Sequence, residues 1–127
     1  MNYIVDSCVW IDFFGQSKYL QTVSRLLTDN LAFTNNVILA ELLPAARKNK
    51  EHEFIECLSG LEAVPLNIDW AEIEEIQLFC LKSGLNKLGL LDIVIAQNAR
   101  QNNMGLFSTD RHMRLLGLKL GIKLKTQ

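Results

Sequence analysis

Tyr3-Ile4-Val5-Asp6-Ser7-Cys8-Val9-Trp10-Ile11-Asp12-Phe13-Phe14-Gly15 reads, in order, as a strand, an acid and a helix. Tyr3-Ile4-Val5 is β-branched and aromatic, the composition of a buried strand, and it ends at Asp6. Ser7 suits the cap of the turn into a helix over Cys8 to Phe14, and Gly15 is expected to stop that helix. The same grammar returns late in the chain. There the strand Leu106-Phe107-Ser108-Thr109 runs into Asp110, and a short helix follows around Arg111 to Leu116.

Between these units the pattern keeps alternating. Leu20, Val23, Leu26 and Leu27 follow helical spacing within Lys18 to Asn30, and Leu31 to Thr34 reads as a second strand. Asn35 or Asn36 caps a helix with Ile38, Glu41 and Ala45 on one face. Pro44 is expected to kink or end it, because proline lacks a donor and crowds the preceding turn. A helix over Glu51 to Leu58 stops at Gly60. Ala63-Val64-Pro65-Leu66 fits an edge strand, since proline cannot complete a central ladder. Asp69 caps a long helix to Ser83 with Ile73, Ile76, Leu78, Phe79 and Leu81 apolar. A helix from Leu90 to Asn102 turns Leu88, Asp92, Ile95, Ala96 and Ala99 inward, and Gly121 to Leu124 suits a last strand. Strands alternating with helices predict an α/β fold, a mostly parallel central sheet covered on both faces. The 127 residues suit one domain, 1–127.

Four carboxylates are out of place in this pattern. Asp6 closes a strand, Glu41 interrupts Val37 to Leu43, Asp92 divides Leu88-Gly89-Leu90-Leu91 from Ile93-Val94-Ile95-Ala96, and Asp110 follows a strand. Ionised acids are rarely buried unless a cation or metal pairs them. In parallel sheets, ligands bind beyond the carboxyl ends of the strands. Asp6 and Asp110 emerge at that edge, and Glu41 and Asp92 are expected in the first turns of helices that begin there. The acids are therefore expected to share one site.

The net charge of −1 hides an asymmetry: 12 acids and 5 Lys/Arg up to Glu75, against 2 acids and 8 Lys/Arg from Gln77 onward. Those two late acids are Asp92 and Asp110. A basic half facing a carboxylate cluster suits a polyanion reached through metal ions, although an ordinary surface asymmetry explains the charge count equally well. Oxygen ligands select Mg²⁺ or Mn²⁺ over zinc, and no His/Cys ligand spacing is present. Phosphodiester hydrolysis fits this donor set best. No Gly-x-Ser-x-Gly elbow or phosphate-binding Gly-x-x-x-x-Gly-Lys-Ser/Thr loop competes. Three of the acids also have a bland reading, Asp6 and Asp110 as helix caps and Glu41 paired with Arg47, whereas Asp92 has no base three or four positions on; the nearby Asp12 reads as exposed or salt-bridged. His112 suits a surface helix and His52 a solvated position. Cys8, Cys57 and Cys80, odd in number and far apart, suit buried free thiols in a reducing cytoplasm. The first basic residue is Lys18, so no signal peptide is expected, and no segment is apolar enough to span a bilayer.

The ordered pieces Val5-Asp6-Ser7-Cys8-Val9-Trp10-Ile11-Asp12-Phe13-Phe14, Leu39-Ala40-Glu41-Leu42-Leu43, Gly89-Leu90-Leu91-Asp92-Ile93-Val94-Ile95-Ala96 and Phe107-Ser108-Thr109-Asp110 resemble the PIN-domain nucleases. They are most similar to VapC-type toxins of bacterial toxin–antitoxin pairs. The resemblance covers nearly the whole chain. It implies a three-layer α/β/α sandwich and Mg²⁺- or Mn²⁺-dependent cleavage of RNA. It makes Asp6 and Asp92 the principal metal ligands, with Glu41 and Asp110 completing the site directly or through water. Ser7 and Ser108 become the hydroxyls that orient the aspartates. It also implies a homodimer and a smaller antitoxin that lays a segment over the cleft. The expected chemistry is attack of water on an RNA phosphodiester, leaving 5′-phosphate and 3′-hydroxyl ends, with Lys87 and Arg111 touching phosphates.

Other classes remain open at this point. A phosphoacceptor receiver needs an acidic pair after the first strand, where this chain has Asp6-Ser7. A haloacid-dehalogenase-like phosphatase needs an aspartate two positions after the nucleophile, where Cys8 stands. A catalytically inactive module that only binds RNA or protein is the third.

Overall fold

The computed structural model describes residues 1–127. Its elements are β1 (Tyr3–Val5), α1 (Ser7–Gln16), α2 (Leu20–Thr28), β2 (Ala32–Thr34), α3 (Asn36–Lys48) and α4 (His52–Ser59). Then come β3 (Glu62–Ala63), α5 (Trp70–Lys82), α6 (Leu90–Gln101), β4 (Gly105–Phe107), α7 (Arg111–Leu120) and β5 (Leu124–Lys125). The five strands form one sheet in the order β3-β2-β1-β4-β5. Every pairing is parallel, and Ile4 stands opposite Phe33 on one side and Leu106 on the other. The chain winds from β1 through β2 to β3 on one side and then crosses to β4 and β5 on the other, so right-handed crossovers place helices on both faces. The direction of winding reverses between β1 and β4. That reversal opens a crevice at the carboxyl edge, immediately beside Asp6.

The core explains why these short strands hold. Ile4, Val5, Leu106 and Phe107 are fully buried, as are Trp10 on α1, Ile38 on α3, Leu58 on α4 and Leu116 on α7. Each large side chain removed from water contributes roughly 1.5–3 kcal/mol. From Ile93 to Ala99 the α6 helix is buried all round, including Gln97 and Asn98. The two amides are satisfied by neighbouring elements. Gln97 bonds the backbone N–H and carbonyl of Asp69 at 3.2 and 3.1 Å, and Glu72 at 2.9 Å. Asn98 accepts from the Asn35 amide at 3.0 Å and donates to the Pro65 carbonyl at 3.1 Å. Asn35 also caps α3, accepting from the Ile38 N–H at 3.0 Å. Thus one buried amide pair sets the start of α3, which carries Glu41, against α6, which carries Asp92.

Several local expectations need correction. Gly15 does not stop α1; the helix runs to Gln16 and ends at Ser17, whose φ of 53° is left-handed. Pro44 neither ends nor interrupts α3, which continues to Lys48. Pro44 and Ala40 both face solvent, so water can satisfy the carbonyl that proline leaves without a donor. Leu78 and Leu81 stand 52% and 61% exposed, because Ile73, Ile76 and Cys80 already define the buried stripe of α5. The last strand is Leu124–Lys125, since Gly121 is spent on the left-handed end of α7 at φ 72°. Of the cysteines, all free, only Cys80 is buried.

Gly105 is required by close approach. A Cβ there would overlap the Tyr3 ring of the neighbouring strand and stand 3.0 Å from the Lys123 carbonyl. Gly105→Ala is expected to destabilise the fold by about 2 kcal/mol, the cost of overpacking. Chemical denaturation checks this, and an unchanged midpoint would contradict the packing.

Candidate active site

Asp6 sits where β1 gives way to α1, at the crevice, and is only 5% exposed. One carboxylate oxygen, Oδ1, accepts from the Ser7 N–H at 2.9 Å, and the other, Oδ2, accepts from the Ser108 hydroxyl at 2.8 Å. Ser108, fully buried after β4, in turn accepts from the Asp110 N–H at 3.2 Å. The ends of the two central strands are thereby tied together through one hydroxyl. Cys8 adds its thiol, 3.7 Å from Asp6 Oδ2 and from the Ser108 hydroxyl, and 3.4 Å from the Thr109 hydroxyl.

Asp92 is half-buried in the first turn of α6, where Oδ2 accepts from the Gly89 N–H at 2.9 Å. Glu41 lies in the second turn of α3, deeper in its helix than expected. Ser7 donates a long 3.4 Å hydrogen bond to Glu41 Oε2, and Arg47 does not pair with it. Asp110 is the N-cap of α7, its Oδ1 accepting from the Met113 N–H at 2.9 Å. Capping and site formation are therefore compatible. Asp92 and Asp110 each give one oxygen to a helix start and keep the other, whereas Asp6 gives Oδ1 to the start of α1 and Oδ2 to Ser108, all in a place where helix dipoles favour negative charge.

The electrostatics bring three of the four acids together. Burial raises the Asp6 carboxyl above its usual range, and the charge of Asp92 raises it further, against the pull of the Ser108 and Ser7 hydrogen bonds. Glu41 is also raised, by desolvation and then by the charges of Asp6 and Asp92. Asp110 joins through Ser108 alone. No base compensates: the chain's ion pair, Arg100 with Glu72 at 3.7 Å, belongs to the α5–α6 surface. Lys87 and Arg111 are exposed and bonded to none of the acids. Asp12 is half-buried without an ion pair, His52 is exposed, and His112 is half-buried with Nδ1 lacking a partner.

This donor set fits a hard divalent cation. Its acids offer oxygens, with the Cys8 thiol the one sulfur beside them, carry uncompensated charge, and include two carboxylates whose ionised forms are disfavoured as they stand. Asp6 and Asp92 would hold the ion, with the exposed Glu41 and Asp110 free to swing toward it. The oxygens do not form a ready-made cage, since no three His, Cys, Asp or Glu side chains stand close enough to enclose an ion. Sequence reasoning missed Cys8, Thr109 and the Asn35–Asn98 pair. Asn98 alone left a signal, an amide inside the apolar run of α6.

Replacing Ser108 by Ala is expected to leave the Asp110 N–H without its acceptor and Asp6 Oδ2 with only the weak Cys8 thiol as donor, costing about 1–3 kcal/mol. Because that hydrogen bond lowers the Asp6 pKa, its loss moves any acid limb of activity to higher pH. A pH–rate profile checks the sign, and an unmoved or acid-shifted limb would contradict it.

A parallel α/β sheet with an all-oxygen acid cluster at its switch point defines the class, a fold that gathers carboxylates where its winding reverses. The PIN domain model matches residues 3–118, and the chain belongs to that family. Its structure is similar to VapBC2 from Rickettsia felis, solved bound to a DNA fragment from their promoter. The TM-score is 0.76 at 19% identity, covering 98% of each chain. No curated protein matches in sequence. No helix is long and apolar enough to cross a membrane.

Proposed function

We propose that this chain is a divalent-cation-dependent endoribonuclease, the toxin of a toxin–antitoxin pair. The observation that carries the reading is Asp6, buried at the switch point beside Asp92 and Glu41 with no basic residue to neutralise it. A PIN-family fold agrees with it.

Mg²⁺ or Mn²⁺, held by Asp6 and Asp92, would supply neutralisation of the charge on the substrate phosphate. The protein does the rest. The Ser7 N–H and Ser108 hydroxyl fix the Asp6 carboxylate, and the Gly89 N–H fixes Asp92. Glu41, exposed and raised in pKa, accepts the proton of the attacking water. The water oxygen bonds to phosphorus while the bond from phosphorus to O3′ breaks. The leaving oxygen takes up a proton from solvent, which gives 5′-phosphate and 3′-hydroxyl ends. Lys87 and Arg111 border this edge as phosphate contacts.

The antitoxin surface follows from a second feature. Beside Glu41, an apolar groove of ≈ 210 Å³ runs between α1, α3 and α4, lined by Ile11, Phe14, Leu42 and Phe54 and rimmed by Glu41 and Glu51. Phe14 and Phe54 stack in it at 4.4 Å. An apolar segment bearing basic residues fits this surface and would close the acid site, and the similar structure was solved as VapBC2. Leu78 and Leu81 on α5 with Leu115 and Leu118 on α7, exposed on helices bridged by Lys119 over Phe79, offer a face for a second copy. The cytoplasm is the compartment consistent with an RNA target.

The test is incubation of purified protein with RNA and Mn²⁺, against a chelator control, followed by mapping of the ends. Cleavage that needs the cation and leaves 5′-phosphates is expected. Cation-independent cleavage, or none on any RNA, would overturn the proposal.

A further inference from the structure

Glu41 is shared by two grooves, and the second differs in kind from the antitoxin surface. It is lined by Asn36, Val37, Ala40, Glu41, Leu66 and Leu91, with a volume of ≈ 340 Å³. Sites for small ligands begin at roughly 300 Å³, so the space suits one ring system. Its walls are aliphatic. Leu91 is 54% exposed, and Ala40 is also exposed. No lysine or arginine lines it, which excludes a phosphate. Asn36, exposed at the start of α3, supplies a side chain with both a donor and an acceptor.

Resting on the nuclease reading above, we infer that this groove seats the base of a nucleotide adjoining the scissile phosphate, with Asn36 reading its edge. Continuity is the argument: Glu41 forms one wall of the groove and belongs to the acid cluster, so a strand with its phosphate at the acids has a neighbouring base within reach of Leu91 and Val37. Single-stranded RNA is recognised through splayed bases held between apolar or aromatic walls and hydrogen-bonded at their edges. A primary amide matches the paired donor and acceptor that a base edge presents. An aliphatic side chain from a protein partner would fill the walls and leave the Asn36 amide unused.

The test uses oligoribonucleotides cut at one mapped bond, intact or abasic at either flanking position, with wild type, Ala40→Trp and Asn36→Ala. Both substitutions fall on exposed positions, and thermal melting confirms that each variant folds. An abasic site at one flanking position should lower the wild-type kcat/KM about tenfold or more, the scale on which an apolar pocket discriminates between occupants. Ala40 is the residue whose enlargement fills the groove, so Ala40→Trp should lose as much on the intact substrate and nothing further on the abasic one. Asn36→Ala should level the preference among the four bases. Equal losses on intact and abasic RNA, or wild-type indifference to the missing base, would overturn the inference while leaving the nuclease reading standing. A shift of Ala40→Trp from dimer to monomer in sedimentation would overturn it in favour of an interface between copies. No cleavage of any substrate would sink both readings together.

Discussion

Asp92→Asn is expected to lower cation-dependent RNA cleavage roughly a thousandfold, the scale of a lost metal contribution of several kcal/mol, while the protein stays folded. The asparagine keeps an oxygen to accept from the Gly89 N–H, so the start of α6 loses no hydrogen bond. Asp6→Asn should lose as much activity. There the amide retains an oxygen for the Ser7 N–H and turns a donor toward Ser108, which must redirect its own proton. The loss should appear in kcat more than in KM if these acids act on the reacting centre. Wild-type rates in either folded variant would refute the assignment of the acids. A fall in melting temperature matching the fall in rate would instead make them structural.

The second large effect is on stability. Asp6 and Glu41 have folded pKa values above their ordinary ones. The folded state therefore binds these protons more tightly than the unfolded chain does. The stabilisation from that binding is complete below the unfolded pKa and is lost as pH rises through the folded pKa. Metal-free protein at neutral pH thus carries two carboxylates held against their preference, and a divalent cation relieves what protonation would otherwise relieve. At a concentration 100 times its Kd, a cation binding only the folded state adds about 2.7 kcal/mol, or roughly 10 °C in Tm for a chain of this size. The expected result is a Tm rise with Mn²⁺ that is large at pH 7 and shrinks toward pH 4, as protons compete for the same oxygens. In Asp6→Asn the metal-free Tm should equal or exceed that of wild type at pH 7, and the Mn²⁺ response should vanish. A Mn²⁺ response of the same size in wild type and variant would place the ion elsewhere.

How far the fold could be read ahead depended on which physical signal each element used. The alternation of strand and helix was legible because Tyr3-Ile4-Val5 and Leu106-Phe107 are short apolar runs ending in acids. It led directly to a mostly parallel α/β sheet, and the resemblance of the ordered motifs supplied the PIN kind. Asp69 was legible as a cap because the side chain that marks a helix start also bonds it. Pro44 and Gly15 misled for a common reason: local propensity is weak against tertiary context, and water can make up the hydrogen bond that an exposed proline removes from a packed helix. Leu78 and Leu81 misled because apolar residues on α5 exceed what one buried stripe can hold.

The site divides in the same way. Asp6 and Asp92 were visible as charges set in apolar runs. Glu41 was found by the same signal, but its depth in α3 depends on where Asn35 caps the helix, which pattern alone leaves ambiguous between Asn35 and Asn36. Cys8 had no signature, since a thiol reads as a small apolar residue until Thr109 and Ser108 are seen beside it. The Asn35–Asn98 bond, which sets α3 against α6, joins residues too far apart in sequence for any local pattern to pair.

The most direct test is a crystal of the wild-type protein grown with Mn²⁺ and measured for anomalous scattering. A peak within coordination distance of both Asp6 and Asp92, absent from Asp92→Asn crystals grown alike, is the predicted result. Ordered carboxylates with no peak among them, or a peak bound away from Asp6, would contradict the claim that these acids form one metal site.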